Sequence, residues 1–295
     1  MTAIISAAQV KELRELTGAG MMECKKALAE TNGEMEKAIE VLRKSGAAKA
    51  GKKAGRVAAE GAVVIAKAGK QAIMLEINSE TDFVARDSNF TSFAKAVGEA
   101  ALKAKEQDVE KISQLILTDY QSRGVEAVRH ELISKIGENV QIRRAVLSNS
   151  SAASMGIYLH GSRIGVVVEL DTDNEALARD LAMHIAASRP IVISPEHVSQ
   201  DLIAKEKEIY LAQAASSGKP QEIIEKMVAG RLKKFLDEVS LVGQPFVKDP
   251  DVTVGSLLSK HKAKVLAFYR FEVGEGIEKI TEDFKEAVMS QVQGS

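Results

Sequence analysis

The sequence predicts an α+β protein with two related halves, preceded by a small helical segment. Two short apolar runs joined by a glycine-containing turn occur at residues 61–78 and again at 156–170. A stretch with helical spacing follows each pair, and each half closes with one more strand-like run, at residues 140–147 and 265–273. Two related subdomains of type β-β-α-…-β explain this repetition most economically.

Composition indicates a globular chain that is long enough for about two domains. Of its 295 residues, 45% are hydrophobic, and 40 Lys and Arg residues nearly balance 41 Asp and Glu residues. This balance predicts no direct binding to nucleic acid or to an anionic membrane.

The one cysteine, Cys24, excludes an internal disulfide and suits a reducing compartment. Because no signal-like segment or membrane-length apolar run is present, we expect a soluble cytoplasmic protein.

The N-terminal segment has the pattern of three short helices. Their apolar spacing predicts starts near Ser6, Met22 and Met35. Ser6 and Gln9 can form a capping box at the first helix, and Gly18 can end that helix.

Residues 46–56 are small and basic, which predicts a linker after a third helix that ends before Gly46. The stretch matches a phosphate-binding loop as far as its lysine. However, Lys53 stands where a Ser or Thr hydroxyl would hold Mg²⁺, and no strand precedes it. The basic residues between 43 and 56 could also form an RNA-binding patch. Because aromatic residues for base stacking are absent there, a solvated linker is the preferred interpretation.

An insertion with helical spacing lies in the second half, from residue 195 to about 239, and is broken at 216–220. Ile224 and Val228 fall on one apolar stripe, so we predict two antiparallel helices joined by a tight turn. That stripe could bind a second copy, a partner or the protein's own core, which leaves open a homodimer through the core or the hairpin. From Thr281 onward, the pattern predicts a last amphipathic helix.

Residues able to carry enzymatic chemistry show no recognisable arrangement. No Ser, Cys or Lys nucleophile has a base in recognisable relation to it. The histidines stand far apart, without carboxylates or cysteines at metal-ligand spacing, so we interpret them as structural or surface residues. They are His130, His160, His184, His197 and His261. The sequence therefore predicts a protein that is not an enzyme and needs no metal or cofactor.

Three stretches, in the same order, resemble the elongation factor Ts family. They are VKELRELTGAGMMECKKAL at 10–28, INSETDFVARD at 77–87 and HxxxxxxFYRFEVGEGIEK at 261–279, with added support from HGSRIGVVVEL at 160–170. The resemblance implies an N-terminal ubiquitin-associated-like three-helix module, two core subdomains, a coiled-coil hairpin and a C-terminal module.

Together, the pattern and the resemblance predict six parts of the chain. They are the three-helix module at 1–45, a basic linker at 46–59, the first core subdomain at 60–150, the second at 151–194 with 241–275, the helical hairpin at 195–240 and the C-terminal module at 276–295.

The resemblance also implies a function and a site. Members of the family accelerate release of GDP from the GTPase elongation factor Tu, so that GTP can bind during polypeptide elongation. The resemblance therefore implies a guanine nucleotide exchange factor with that GTPase as its partner. In the family, the residues that match Asp82 and Phe83 protrude, and the phenyl ring enters a crevice near the Mg²⁺ site of the GTPase. Further contacts are implied at Arg14, Met21, Met22 and His160.

Each of these residues also has a structural interpretation. From the residues alone, Phe83 is a staple packed on its own helix, and only the resemblance reverses that preference. Met22 could belong to the core, and His160 could be a surface histidine at a strand end. The alternative function is a non-exchanging interaction module, because ubiquitin-associated-like units also bind ubiquitin or nascent chains. In that interpretation Phe83 is a core residue.

Overall fold

The computed structural model describes residues 5–148, 151–215 and 220–278, and the chain divides into two compact units. The first unit comprises residues up to Ala66, Ile73–Leu147 and residues from Glu272 on. The second comprises Lys67–Ala72 and Ser148–Phe271. Helices combined with small antiparallel sheets confirm the predicted α+β class. The finer division into six parts stays a prediction, apart from the linker, whose residues 46–53 are helical, and the predicted helix from Thr281 lies outside the described residues.

Three helices begin the first unit: α1 (Ala7–Thr17), α2 (Met21–Glu30) and α3 (Met35–Lys53). The predicted capping box of α1 is confirmed, because the Gln9 N–H donates to Ser6 Oγ at 3.2 Å and the Ser6 N–H donates to Gln9 Oε1 at 3.0 Å. Gly18 ends α1 with φ +69°, as predicted. Leu13 and Leu28 lie in a small core shared by the three helices.

The first unit contains a three-stranded sheet in the order β1-β2-β5, with β5 antiparallel to β2. Its elements are β1 (Glu60–Ala68), β2 (Gln71–Ser79), α4 (Asp82–Ala85), α5 (Ser88–Ala104), α6 (Val109–Gln114), β3 (Ile116–Leu117), β4 (Arg123–Gly124), α7 (Val125–Ile136) and β5 (Val140–Leu147). Helix α5 inserts the fully buried rings of Phe90 and Phe93 into the core beside β2. The predicted hairpin, helix and closing strand are all present.

The predicted end of the third helix before Gly46 is wrong, and so is the predicted linker over residues 46–53. Helix α3 continues to Lys53 because alanine and lysine, which both favour a helix, make up six of the eight residues 46–53. Gly46 is buried, and a Cβ there would lie 3.7 Å from the carbonyl oxygen of His130 in α7. A contact at this distance is ordinary, and α3 packs against α7 here, so tertiary contact outweighs the local preference of glycine to end a helix.

The second unit repeats the arrangement of the first sheet. Its elements are β6 (Ser154–His160), β7 (Ile164–Leu170), α8 (Glu175–Ser188), α9 (Gln200–Ala215), α10 (Gln221–Val239), β8 (Pro245–Phe246), β9 (Asp249–Thr253), α11 (Val254–Lys260) and β10 (Val265–Glu272). The sheet order is β10-β7-β6, so the third strand again lies beside the second strand of the hairpin. Helices α9 and α10 pack together through Ile224 and Val228, as the predicted stripe requires.

A buried carboxylate fixes the segment after β10 on the first sheet. Glu76 in β2 is fully buried, and its oxygens accept from Arg143 Nη1 at 3.0 Å and Arg144 Nε at 2.6 Å. The Gly274 N–H donates to the same carboxylate at 2.8 Å, and Asn78 Nδ2 donates at 3.0 Å. Burial alone would raise the pKa of Glu76. These donors outweigh burial and hold that pKa below its usual range.

We expect Glu76→Gln to lower the free energy of unfolding at pH 7 by about 3 kcal/mol, because it breaks a buried ion pair. Since the pKa of Glu76 is lower in the folded state, its contribution is complete above a pH of about 4.3 and is lost as the pH falls through the folded-state pKa. Urea unfolding of the wild type and Glu76→Gln at pH 7 and pH 3 measures the difference in their free energies of unfolding. An equal difference at the two pH values would contradict the expectation, and Glu12→Gln on the exposed side of α1 is the control.

Close packing of β6 against α8 depends on Gly156. A Cβ at this position would lie 2.0 Å from the carbonyl oxygen of Ala178 and 2.6 Å from the backbone nitrogen of Arg179. Both atoms belong to the backbone of α8, so they cannot yield by a change of rotamer.

We therefore expect Gly156→Ala to lower the free energy of unfolding by about 2 kcal/mol or more. Gly230→Ala in α10 is the matched control, because a Cβ there meets no atom within 4 Å. The control should raise stability by about 1 kcal/mol, since alanine favours a helix over glycine. Thermal unfolding followed by circular dichroism compares the two variants. Equal midpoints for the two variants would show that β6 and α8 do not approach tightly at Gly156.

Candidate functional site: an exposed phenyl ring after β2

The turn after β2 carries the two residues that the resemblance singles out. Thr81 caps the single helical turn α4, because its Oγ1 accepts from the Val84 N–H at 3.4 Å. Val84 points into the core, whereas Phe83 is 82% exposed. The interpretation of Phe83 as a staple or core residue is therefore wrong. An apolar ring held in water on a short, capped turn is available for contact with another molecule.

Asp82 lies next to this ring and pairs with Arg86 one turn later. Asp82 Oδ2 and Arg86 Nη2 are 2.9 Å apart, and water reaches both side chains. An exposed pair of this kind is worth at most about 1 kcal/mol. The carboxylate can therefore exchange Arg86 for another partner at little cost.

Two glutamates connect the turn of Phe83 to the turn before β5. Glu138 accepts from the Thr81 N–H at 3.0 Å and from the Thr81 hydroxyl at 2.7 Å. In the opposite direction, Glu80 accepts from the Asn139 N–H at 2.6 Å. The β2–β5 ladder ends immediately before these residues, so the two carboxylates continue the connection beyond it.

The end of α3 contacts the same two turns. Arg56 Nη1 lies 3.3 Å from Glu80 Oε2, and Asn139 Nδ2 donates to the carbonyl oxygen of Arg56 at 2.9 Å. Lys53 donates to the carbonyl oxygen of Gly137. The turn that carries Phe83 is thus part of a hydrogen-bonded junction of three segments. Glu138 is not predicted from the sequence, because it lies 57 positions from Thr81 and no local pattern links the two.

Most of the basic residues between 43 and 56 have intramolecular partners. Lys44 pairs with Glu40 at 2.7 Å, Lys49 pairs with Glu23, and Lys53 and Arg56 belong to the junction described above. Since these cations are already paired within the protein, the RNA-binding alternative loses support. Residues 46–53 are helical, so they form no phosphate-binding loop either.

Three further predicted contact residues lie at one end of the N-terminal helices. Arg14 is exposed in the last turn of α1, and Met21 and Met22 begin α2 after a short glycine-containing connection. Met21 is 47% exposed and Met22 76%. The alternative that places Met22 in the core is therefore wrong, whereas the role of these residues in binding stays a prediction.

His160 belongs to the second unit, at the exposed end of β6. Its Nδ1 lies 3.3 Å from the hydroxyl oxygen of Tyr158, two residues earlier on the strand. Its position agrees with the predicted strand-end histidine, and its role in binding stays a prediction.

Within the described residues, no three His, Cys, Asp or Glu side chains form a group that could hold a metal ion. His184 is a structural histidine: it is fully buried, with Nε2 2.9 Å from Gln244 Oε1, and its Nδ1 accepts from the Val247 N–H at 3.2 Å. Burial lowers the pKa of His184. Among the residues that the structure describes, every helix is too short or too polar to cross a bilayer.

Three N-terminal helices, two similar sheets, a helical hairpin and an exposed ring together define a modular α+β protein. Residues 80–275 match the family model described as Elongation factor TS. The chain belongs to this family of translation elongation factors, which confirms the resemblance.

Relatives named Elongation factor Ts match nearly the whole chain. The protein of Thioalkalivibrio sulfidiphilus (strain HL-EbGR7) is 59% identical over 294 residues, which cover 99% of each chain. That of Legionella pneumophila (strain Paris) is 57% identical over 291 residues, covering 98% of this chain and 99% of the relative. That of Coxiella burnetii (strain Dugway 5J108-111) is 55% identical over 293 residues, covering 99% of each chain.

We expect Phe83→Ala to leave the free energy of unfolding within about 0.5 kcal/mol of the wild-type value, because the ring makes little contact with the protein. Phe90→Ala is the matched control, since its ring is fully buried and its loss should destabilise by about 3–5 kcal/mol. Urea unfolding compares the three proteins. A large loss of stability in Phe83→Ala would show that the ring packs in the core.

Proposed function

We propose that this protein is a guanine nucleotide exchange factor for the GTPase elongation factor Tu. It would promote release of GDP so that GTP can bind during polypeptide elongation. The observation that carries the proposal is the 82% exposure of Phe83 in the segment TDFVARD. Membership of the elongation factor Ts family supports the same function.

An inserted ring can perform exchange without bond chemistry. A GTPase holds GDP and Mg²⁺ with preorganised backbone donors and side-chain oxygens. A phenyl ring that enters beside these groups and shifts them weakens nucleotide binding. Burial of the ring contributes about 2–3 kcal/mol, which favours the nucleotide-free complex. Because coupling between two ligands is reciprocal, binding of a new nucleotide then expels the factor.

The remaining site residues have supporting roles in this proposal. Asp82 releases Arg86 and offers its carboxylate to the GTPase beside the ring. The surface formed by Arg14, Met21 and Met22 binds the nucleotide-binding domain, and His160 contacts the other domains. The protein itself needs no metal or cofactor, because only the position of groups in the partner changes.

The alternative is an interaction module that binds a partner without exchanging its nucleotide. That interpretation makes Phe83 a core residue, which its exposure does not support. The exchange assay below distinguishes the two functions directly.

We expect the wild-type protein at micromolar concentration to accelerate release of fluorescent GDP from elongation factor Tu. Phe83→Ala should reduce this acceleration by about 10- to 100-fold, the equivalent of most of the burial energy of the ring. Ile116→Ala is the control, because Ile116 is also an exposed apolar residue of the first unit but lies on β3. No acceleration by the wild type would refute the proposed function, and equal loss in both variants would refute the role of Phe83.

A further inference from the structure

We infer that Glu138 is a positioning residue for Phe83: its carboxylate holds the turn α4 in the conformation that presents the ring. The consequence for exchange rests on the proposed function. The positioning itself is a property of the free protein, so the two can be tested separately.

The turn α4 needs support from outside. It has four residues, Asp82–Ala85, and a helix this short is not stable through its own hydrogen bonds. The Ala85 N–H donates to the Thr81 carbonyl at 3.3 Å, and the cap bond from the Val84 N–H to Thr81 Oγ1 measures 3.4 Å. Both bonds that join Thr81 to the turn are long, so the orientation of the start of the turn depends on what fixes Thr81.

Glu138 accepts from both hydrogen-bond donors of Thr81. One carboxylate oxygen accepts from the backbone N–H at 3.0 Å, and the other accepts from the hydroxyl at 2.7 Å. A hydroxyl has one hydrogen, so donation to Glu138 turns a lone pair of the oxygen toward the Val84 N–H. The carboxylate therefore fixes the backbone before α4 and orients the cap of α4 at the same time.

The backbone on either side of Glu138 is fixed as well. The Gly137 carbonyl accepts from Lys53 at the end of α3, and Gly137 has φ +87°. Asn139 is buried, donates its N–H to Glu80 and donates its side-chain amide to the Arg56 carbonyl. Glu138 thus projects from a turn that is held on both sides. It can transmit this fixed position to Thr81 and so to Phe83.

Without the carboxylate, the turn and its ring sample more orientations, and binding must restore the productive one. Hydrogen bonds to a charged group are strong enough that their loss changes the equilibrium between the productive orientation of the turn and the others by about tenfold. We therefore expect about tenfold faster amide hydrogen exchange at Thr81 and Val84 in Glu138→Ala. The same variant should show about tenfold less acceleration of GDP release.

Variants of Thr81 separate positioning from a general effect on the fold. Thr81→Ser keeps the hydroxyl and should behave like the wild type in both measurements. Thr81→Ala loses the hydroxyl and should show the same defects as Glu138→Ala, though smaller, because its N–H can still donate to Glu138. Glu110→Ala, at an exposed position of α6, is the control and should change neither measurement. If Glu138→Ala fails to fold, Glu138→Gln replaces it, because the amide oxygen retains one of the two bonds.

A double-mutant cycle with Phe83→Ala tests whether Glu138 acts through the ring. If it does, Glu138→Ala should slow GDP release in the wild-type background and have no further effect once Phe83 is alanine. Additive effects would overturn the inference, because Glu138 would then act independently of the ring. Unchanged hydrogen exchange at Thr81 and Val84 would also overturn it. If the wild type does not accelerate GDP release, the proposed function fails, and hydrogen exchange alone decides whether Glu138 positions the turn.

Discussion

Reciprocal hydrogen bonds between two glutamates and two backbone turns fix the end of the first sheet. Glu138 accepts from Thr81, and Glu80 accepts from Asn139, at the point where the β2–β5 ladder stops. Each carboxylate thereby accepts from a backbone N–H that lies just beyond the ladder and has no partner on the opposite strand. Because these hydrogen bonds fix the backbone at the end of the sheet, the apolar side chain of Phe83 can keep a defined position while it is exposed to solvent. Burial of a ring normally provides its fixed position, and here hydrogen bonds behind the ring provide it instead.

The buried Glu76 has a different role in the same unit: it binds the segment that follows β10. Residues 273–275 follow the last strand of the second sheet but belong to the first unit. Arg143 and Arg144 neutralise the carboxylate, and the Gly274 N–H adds a donor that is present only when this segment is in place. A Cβ at Gly274 would lie 2.2 Å from the Ala59 carbonyl oxygen, so close backbone approach is part of the arrangement. If the segment left this position, the buried carboxylate would lose one of its donors, which is costly for a buried charge.

The two sheets share one strand order but differ after the hairpin. In the second unit, four residues separate β7 from α8, and the Asn174 side chain caps that helix directly. In the first, eight residues separate β2 from α5, and they include the additional turn α4. Phe83 lies in this extra turn. The repeat therefore supplies a stable frame in both halves, and the candidate site is a short addition to one of them, which agrees with the general placement of binding residues on loops held by rigid elements.

The sequence alone determined the three N-terminal helices apart from the end of the third, the two strand pairs with their following helices, the closing strands and the repetition of this arrangement, because the spacing of apolar residues directly reflects which side of each element is buried. It also determined the cap of α1 and its glycine end, which depend on neighbouring residues. Tertiary structure decided what depends on distant contacts. Gly46 continues a helix because α7 packs against it, and local propensity could not reveal this neighbour. Phe83 is exposed because Val84 occupies the core beside it and Glu138 fixes Thr81 from 57 positions away. Without the resemblance, the segment TDFVARD predicted only a turn and a packed ring, since exposure of a side chain is a property of the folded surface rather than of its neighbours in sequence.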